Sequence, residues 1–144
     1  MSLETLRKFR AQERETLMME LAGISRELMS LEQRCGMLEE QLRSDASLAQ
    51  RQAVQGTTTH MWLEWNERLA SQWLLLKQVR ETVHRLTEVW SKTRTRLIEV
   101  IQEGNRLDRL ENRRQAERDT LIRKQEQRAS DDMAARRSCL NKKP

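Results

Sequence analysis

The side chains most often used in catalysis and metal binding are few and scattered in this sequence. Its 144 residues include two histidines, His60 and His84, and two cysteines, Cys35 and Cys139. Neither histidine has a cysteine or a second histidine at ligand spacing, and no phosphate-binding glycine loop or nucleophile motif is present. The sequence therefore predicts a non-enzymatic protein without metal or cofactor, with His60 in a loop and His84 on a solvated helix face.

The tryptophans are more informative about binding. Three of the four lie within twelve residues: Trp62, Trp65 and Trp73. Two interpretations stay open: the indoles fill a helical seam opposite small residues, or they form an exposed patch that binds a partner, since tryptophan is enriched in interface hot spots. The run Trp73-Leu74-Leu75 is too wide for one seam and favours some exposure, whereas Trp90 is assigned to the core.

Basic residues concentrate in the last quarter of the chain. Residues 108–144 carry 11 basic and 7 acidic side chains, whereas residues 1–53 carry 8 and 9. A solvated helix face and a docking surface for an acidic partner both fit this pattern. Nucleic acid fits poorly, because acidic residues interrupt the basic ones and no aromatic side chain interleaves them. The candidate residues are Arg109, Arg113, Arg114, Arg118, Arg123, Arg128, Arg136 and Arg137.

The composition indicates that long helices position these residues. The chain has one proline, Pro144, and four glycines, so it cannot supply the many tight turns of a sandwich or barrel. Its apolar runs are too short to span a membrane. Leucine, arginine, glutamate and glutamine dominate, and all of them favour helix. The predicted class is all-α.

Two heptad patterns predict a coiled coil, because apolar residues at alternating steps of four and three wind helices around each other. The first consists of Leu17, Leu21, Ile24, Leu28, Leu31, Cys35, Leu38 and Leu42. The second consists of Trp62, Trp65, Leu69, Gln72, Leu76, Val79, Val83, Leu86, Trp90, Thr93, Leu97, Val100, Gly104 and Leu107.

One interior segment has the composition of a turn: Gly56 is followed by three threonines. We therefore predict a single antiparallel hairpin over 1–144, with a helix over about 3–53, a turn over about 54–60, a helix over about 61–137 and a flexible tail over 138–144. Ser2 and one of the threonines are the predicted N-caps. The second helix should overhang the first by roughly 40 Å, at 1.5 Å per residue, and order fully only with a partner.

The turn also predicts which residues face each other. With the turn centred near residue 57, position i faces position 114 − i, so Ile24 lies near Trp90 and Leu38 near Leu76. Gly23 would then lie beside Trp90 and make room for its indole. On this prediction, Gly23→Leu destabilises the hairpin.

Several short motifs resemble the FliJ/YscO family of type III export proteins. The chain opens Leu3-Glu4-Thr5-Leu6, and its first helix contains Cys35-Gly36-Met37-Leu38-Glu39-Glu40-Gln41-Leu42. Trp62 follows the turn glycine, and the tail contains Met133-Ala134-Ala135-Arg136-Arg137. Length and hairpin plan match over nearly the whole chain.

The resemblance implies a stalk-like adaptor of flagellar protein export, and thus of flagellum biogenesis and motility. In the family, the terminal end of the hairpin enters the hexameric export ATPase and activates it. The region after the turn contacts the cytoplasmic domain of the export gate and the export chaperones. Mapped onto this sequence, the gate and chaperone residues are Trp62, Trp65, Leu69, Trp73, Leu76 and Val83.

The ATPase contacts would be arginines of the last quarter of the chain: Arg109, Arg113, Arg114, Arg118, Arg123, Arg136 and Arg137. The absence of a signal peptide and the lack of a disulfide framework suit the cytoplasm, with at most peripheral association with the inner membrane through the export apparatus. A general coiled-coil scaffold, an injectisome counterpart of the YscO type and a nucleic-acid binder are the alternatives.

Overall fold

Two long helices make up nearly all of the described chain, residues 2–141 of this computed structural model. Helix α1 comprises Leu3–Gln55 and helix α2 comprises Thr59–Asn141. The helices pack against each other as an antiparallel hairpin, and no strand occurs in residues 2–141. The predicted all-α hairpin is therefore confirmed. Neither helix contains, within this range, a segment long and apolar enough to cross a membrane.

The helix ends differ from the predicted ones by a few residues. Helix α1 ends at Gln55 and α2 begins at Thr59, so the connection has three residues rather than seven. Helix α2 continues through Asn141 instead of ending near residue 137. Residues 138–141 contain neither proline nor glycine, so nothing in their sequence stops the helix. The rest of the predicted tail, residues 142–144, lies outside the described residues.

Both helices begin at the predicted capping residues. The backbone N–H of Thr5 donates to Ser2 Oγ at 3.2 Å, and the backbone N–H of Met61 donates to Thr58 Oγ1 at 3.2 Å. Each bond satisfies one of the amide groups that the first turn leaves without a helical partner. Gly56 has a φ of 104°, the left-handed conformation that commonly terminates a helix and that glycine adopts without steric cost.

Contacts divide the chain into two compact units, of which the larger is residues 14–98. Its core is the seam that the heptads predict. All eight heptad residues of α1 are partly buried, and those of α2 from Trp65 to Leu97 are partly or fully buried, with Leu76 1% and Val79 6% exposed. Trp62 is the exception, because its side chain is 54% exposed.

Side-chain contacts fix the alignment of the helices in this unit. Glu39 accepts a hydrogen bond from Arg80 at 2.8 Å, and Trp90 Nε1 donates to Ser25 Oγ at 3.0 Å. The predicted contact between Gly23 and Trp90 is wrong: a Cβ built on Gly23 would meet only the Arg26 guanidinium, at 4.0 Å. The polar end of the indole is directed to the hydroxyl of Ser25, two positions further along α1.

The second unit contains residues 2–13 and 99–141 of the described chain. Here Val100 is 1% exposed, and ion pairs join the helices. Arg7 lies 3.0 Å from Asp108, and Arg10 lies 3.0 Å from Glu103. After Glu111, every residue from 112 to 141 is exposed. This segment is the predicted overhang, about 45 Å of helix at 1.5 Å per residue.

Candidate partner-binding surfaces

The tryptophans near the turn divide between the seam and the surface. Trp62 and Trp73 are 54% and 52% exposed, whereas Trp65 is partly buried. Trp65 therefore fits the seam interpretation, whereas Trp62 and Trp73 are exposed, and their binding of a partner stays a prediction. Trp90 is partly buried in the seam, in agreement with its assignment to the core.

Trp65 is held in place by polar groups on both sides. Its Nε1 donates a hydrogen bond of 2.6 Å to Gln52 Oε1 on α1. The guanidinium of Arg68 lies 5.4 Å from the ring centroid, within the range of a cation–π interaction. A buried indole needs an acceptor for its N–H, and Gln52 supplies one. Trp65 therefore contributes to the packing of the hairpin itself.

The remaining residues predicted for gate and chaperone contacts lie in the seam. Leu76 is 1% exposed, and Leu69 and Val83 are partly buried. Leu76 offers almost no surface of its own to a partner while the two helices stay packed. The surface that a partner can reach is made by residues on the neighbouring helix positions.

Two leucines of this surface were missing from the predicted set. Leu63 is 49% exposed and Leu74 is 56% exposed, next to Trp62 and Trp73. The signal was present in the sequence as a repeat: Trp-Leu at 62–63 recurs as Trp-Leu at 73–74. Eleven residues are close to three full helical turns, so both pairs lie on the same side of α2.

A polar layer lies in the seam beside this surface. Asp45 is only 8% exposed, and its Oδ2 accepts a hydrogen bond of 2.6 Å from Gln72 Nε2. Arg68 Nε lies 3.5 Å from the same oxygen. Gln72 Oε1 is buried without a hydrogen-bond partner. Polar pairs of this kind in a coiled-coil core cost stability and favour one alignment of the helices.

The second surface is the basic part of α2. All of the candidate arginines from Arg109 to Arg137 are exposed. Arg118 approaches Glu111 at 3.5 Å, but its side chain is 65% exposed, so this pair contributes little to stability. Apolar side chains are interspersed among the arginines, with Leu121 60% and Met133 58% exposed. The surface offers charge and apolar contacts along one continuous helix.

Each histidine lies close to a glutamate four positions further along its own helix. His60 belongs to the first turn of α2, rather than to a loop as predicted, because the helix begins at Thr59. Its Nε2 lies 3.0 Å from Glu64, and His84 lies 3.4 Å from Glu88, both on exposed helix faces. Within residues 2–141, no three His, Cys, Asp or Glu side chains come together in a group that could hold a metal ion.

Comparison with known proteins gives one family. No curated protein and no solved structure matches the chain significantly. The family model described as "Flagellar FliJ protein" matches residues 1–143, nearly the whole chain. A match over nearly the full length shows the family: the chain belongs to the flagellar FliJ family, a family of flagellar protein export.

Proposed function

We propose that this protein is a stalk-like adaptor that inserts its overhanging helix into the hexameric export ATPase and activates it. The observation that carries the proposal is the segment 112–141, a continuous helix with every residue exposed. On this proposal the protein acts in the cytoplasm. It reaches the inner membrane only peripherally, through the rest of the export apparatus.

The physical chemistry of the overhang supports a binding role. An isolated helix without apolar packing is only marginally stable in water, so a partner that surrounds residues 112–141 would stabilise their helix. Leu121, Ile122 and Met133 supply apolar contact area for such a partner. The exposed arginines can form charge-assisted hydrogen bonds to carboxylates lining a central cavity.

The decisive measurement is ATP hydrolysis by the purified cognate export ATPase with added full-length protein. We expect stimulation by the full-length chain and none by a chain cut at Arg113. Reversing three charges, in the variant Arg113→Glu, Arg114→Glu and Arg118→Glu, should raise the concentration for half-maximal stimulation by about tenfold or more, corresponding to about 1.4 kcal/mol of binding free energy.

A matched control reverses three exposed basic residues in the unit 14–98: Arg26→Glu, Arg85→Glu and Lys92→Glu. It has the same change of net charge and should stimulate the ATPase like the unmodified chain. Equal loss in both variants would show that total charge, rather than the overhang, determines activation. Failure of the full-length protein to bind the ATPase or change its turnover would refute the proposal.

We further propose that the end of the hairpin near the turn, which carries Trp62 and Trp73 and is called the tryptophan end below, binds the cytoplasmic domain of the export gate and the export chaperones. Its contact residues are the exposed Trp62 and Trp73. The other members of the predicted set, Trp65, Leu69, Leu76 and Val83, support them from the seam. The two surfaces lie in different units of the chain, so the ATPase and the gate would be served by different residues.

A further inference from the structure

The face of the hairpin near the turn carries two shallow grooves. The lower groove, of about 280 Å³, lies between Ala46 of α1 and Trp73 of α2 and is also lined by Leu42 and Leu76. The upper groove, of about 160 Å³, is nearer the turn and lies between Ala53 and Trp62. In each groove an indole wall from α2 stands beside an alanine of α1. The grooves exist because the small residues leave the space next to the large ones unfilled.

The grooves are spaced for a helix. Trp62 and Trp73 are eleven positions apart, which corresponds to about 16 Å along α2 and nearly the same angular direction. Ala46 and Ala53 are seven positions apart, two turns of α1. In each groove the alanine and the tryptophan are both exposed, so both grooves open to solvent. A third helix lying across the two grooves could insert apolar side chains into both of them.

The charge around the lower groove, between Ala46 and Trp73, is positive. Arg43 and Arg80 border the lower groove, and Lys77 is exposed one turn beyond Trp73. Glu39, the acidic residue of this groove, is already paired with Arg80 at 2.8 Å. The upper groove has only uncharged lining residues. Arg43 and Lys77 are therefore available for carboxylates of an incoming segment.

We infer that this face binds an amphipathic α-helix of a partner protein. The apolar anchors of that helix lie about seven to eleven residues apart, the spacings of the two alanines and of the two tryptophans, and glutamate or aspartate flanks the anchor nearer Trp73. The complex would be a local three-helix bundle over residues 42–80. This inference rests on the proposed function of the tryptophan end and specifies the chemistry of its partner. It assigns specificity to Ala46, Ala53, Arg43 and Lys77, which no heptad position reveals.

The inference can be tested with synthetic helical peptides of about 18 residues, five turns. The acidic peptide carries leucines along one face and glutamates beside them, and a matched peptide carries lysines in place of the glutamates. Each is labelled and titrated with the full-length protein, and binding is followed by fluorescence anisotropy. We expect the acidic peptide to bind, the lysine peptide to bind at least tenfold more weakly, and added salt to reduce the difference.

Variants locate the bound peptide on the protein. Trp62→Ala with Trp73→Ala should weaken the acidic peptide by about thirtyfold, a loss typical of hot-spot truncation. Ala46→Leu should weaken it as well, because the new side chain fills the lower groove while both tryptophans remain. Met19→Ala removes a side chain that is 75% exposed elsewhere on α1 and should have no effect.

Peptide binding by a charge variant and binding of the gate domain by the groove variants distinguish failure of this inference from failure of the proposed function. Arg43→Glu with Lys77→Glu should reverse the preference between the two peptides. No binding of the acidic peptide, or binding unaffected by Ala46→Leu, would overturn the inference. If the gate domain binds but the groove variants do not weaken it, the inference fails and the proposed function survives. If the peptide binds and the gate domain does not, the proposed function fails and the inference survives.

A second copy of the chain is the competing occupant. Sedimentation of the full-length protein over a range of concentrations measures this directly. A dimer that Ala46→Leu dissociates would assign the face to self-association and overturn the inference, whereas a monomer throughout supports it.

Discussion

At the scale of single residues, Gly36 and Gly56 show how one residue type can have opposite roles. Gly36 lies in the middle of α1, and a Cβ built on it would have no neighbour within 4 Å. Its only effect on stability is the entropy that a flexible backbone loses in a helix. Gly56 terminates α1 with a φ of 104°, which side chains with a Cβ adopt only with strain.

The same substitution should therefore have opposite effects at the two positions. Gly36→Ala should raise the free energy of unfolding by about 0.5–1 kcal/mol. Gly56→Ala should lower it by about 1–2 kcal/mol. Urea denaturation followed by circular dichroism measures both changes. An increase for Gly56→Ala would mean that the connection tolerates a negative φ.

The contact predicted for Gly23 depended on how the two helices align, which the heptads did not specify. The heptads predicted which residues face the seam, because apolar periodicity depends on each helix alone. The contact between Gly23 and Trp90 also required the alignment of the helices, and the true partner, Ser25, lies two positions away. A side chain at position 23 should therefore create no clash and should reduce the backbone entropy lost on helix formation. The destabilisation predicted for Gly23→Leu is no longer expected.

At the scale of elements, the seam of the two helices is apolar but not uniform. Leu76 and Val79 are buried in it, and the pair Asp45 and Gln72 interrupts it. The predicted heptad of α1 ends at Leu42, and the next core position holds the carboxylate of Asp45. The structure shows that the seam continues through Asp45, which finds its hydrogen-bond donor on the other helix. No feature of α1 alone reveals that donor.

Breaking the pair of Asp45 and Gln72 should destabilise the hairpin, whereas replacing both residues by leucine should not. Gln72→Leu leaves the Asp45 carboxylate in the seam without its closest donor and should lower the free energy of unfolding by about 1–3 kcal/mol. Asp45→Leu with Gln72→Leu should restore or exceed the original stability, since apolar residues of similar size avoid the desolvation cost. Urea denaturation of the single and double variants gives the coupling energy.

The double variant should also lose the preference for one alignment. The unmodified protein should give one set of amide signals in its NMR spectrum, and the double variant should give additional signals from shifted pairings. A double variant less stable than Gln72→Leu alone would show that the polar pair contributes net stability.

At the scale of the whole molecule, α2 has two environments along its length. From Trp65 to Leu107 its heptad residues are at least partly buried, and from residue 112 to 141 every side chain is exposed. The change follows from the unequal lengths of the helices, 53 and 83 residues, which the position of Gly56 in the sequence already indicated. What the sequence did not indicate is that helix continues to Asn141, since charged and polar residues are compatible with both helix and tail.

Backbone hydrogen exchange should separate the two parts. Amides of residues 112–141 should exchange far faster than those of residues 76–97, because local opening of an unpacked helix requires little free energy. Mass spectrometry of peptic fragments resolves the two segments. Addition of the export ATPase should slow exchange in 112–141 and leave 76–97 unchanged. Equal protection of both segments in the free protein would contradict the exposed environment of the overhang.

The three-residue connection that begins at Gly56 also bears on stoichiometry. If the left-handed conformation at Gly56 were lost, α1 and α2 could join into one uninterrupted helix, and the same seam residues would then pair between two chains. Such an exchanged dimer would keep nearly every contact of the hairpin and double the mass. A single backbone angle therefore favours a folded monomer, and Gly56→Ala at high protein concentration should yield a dimer that is detectable by light scattering.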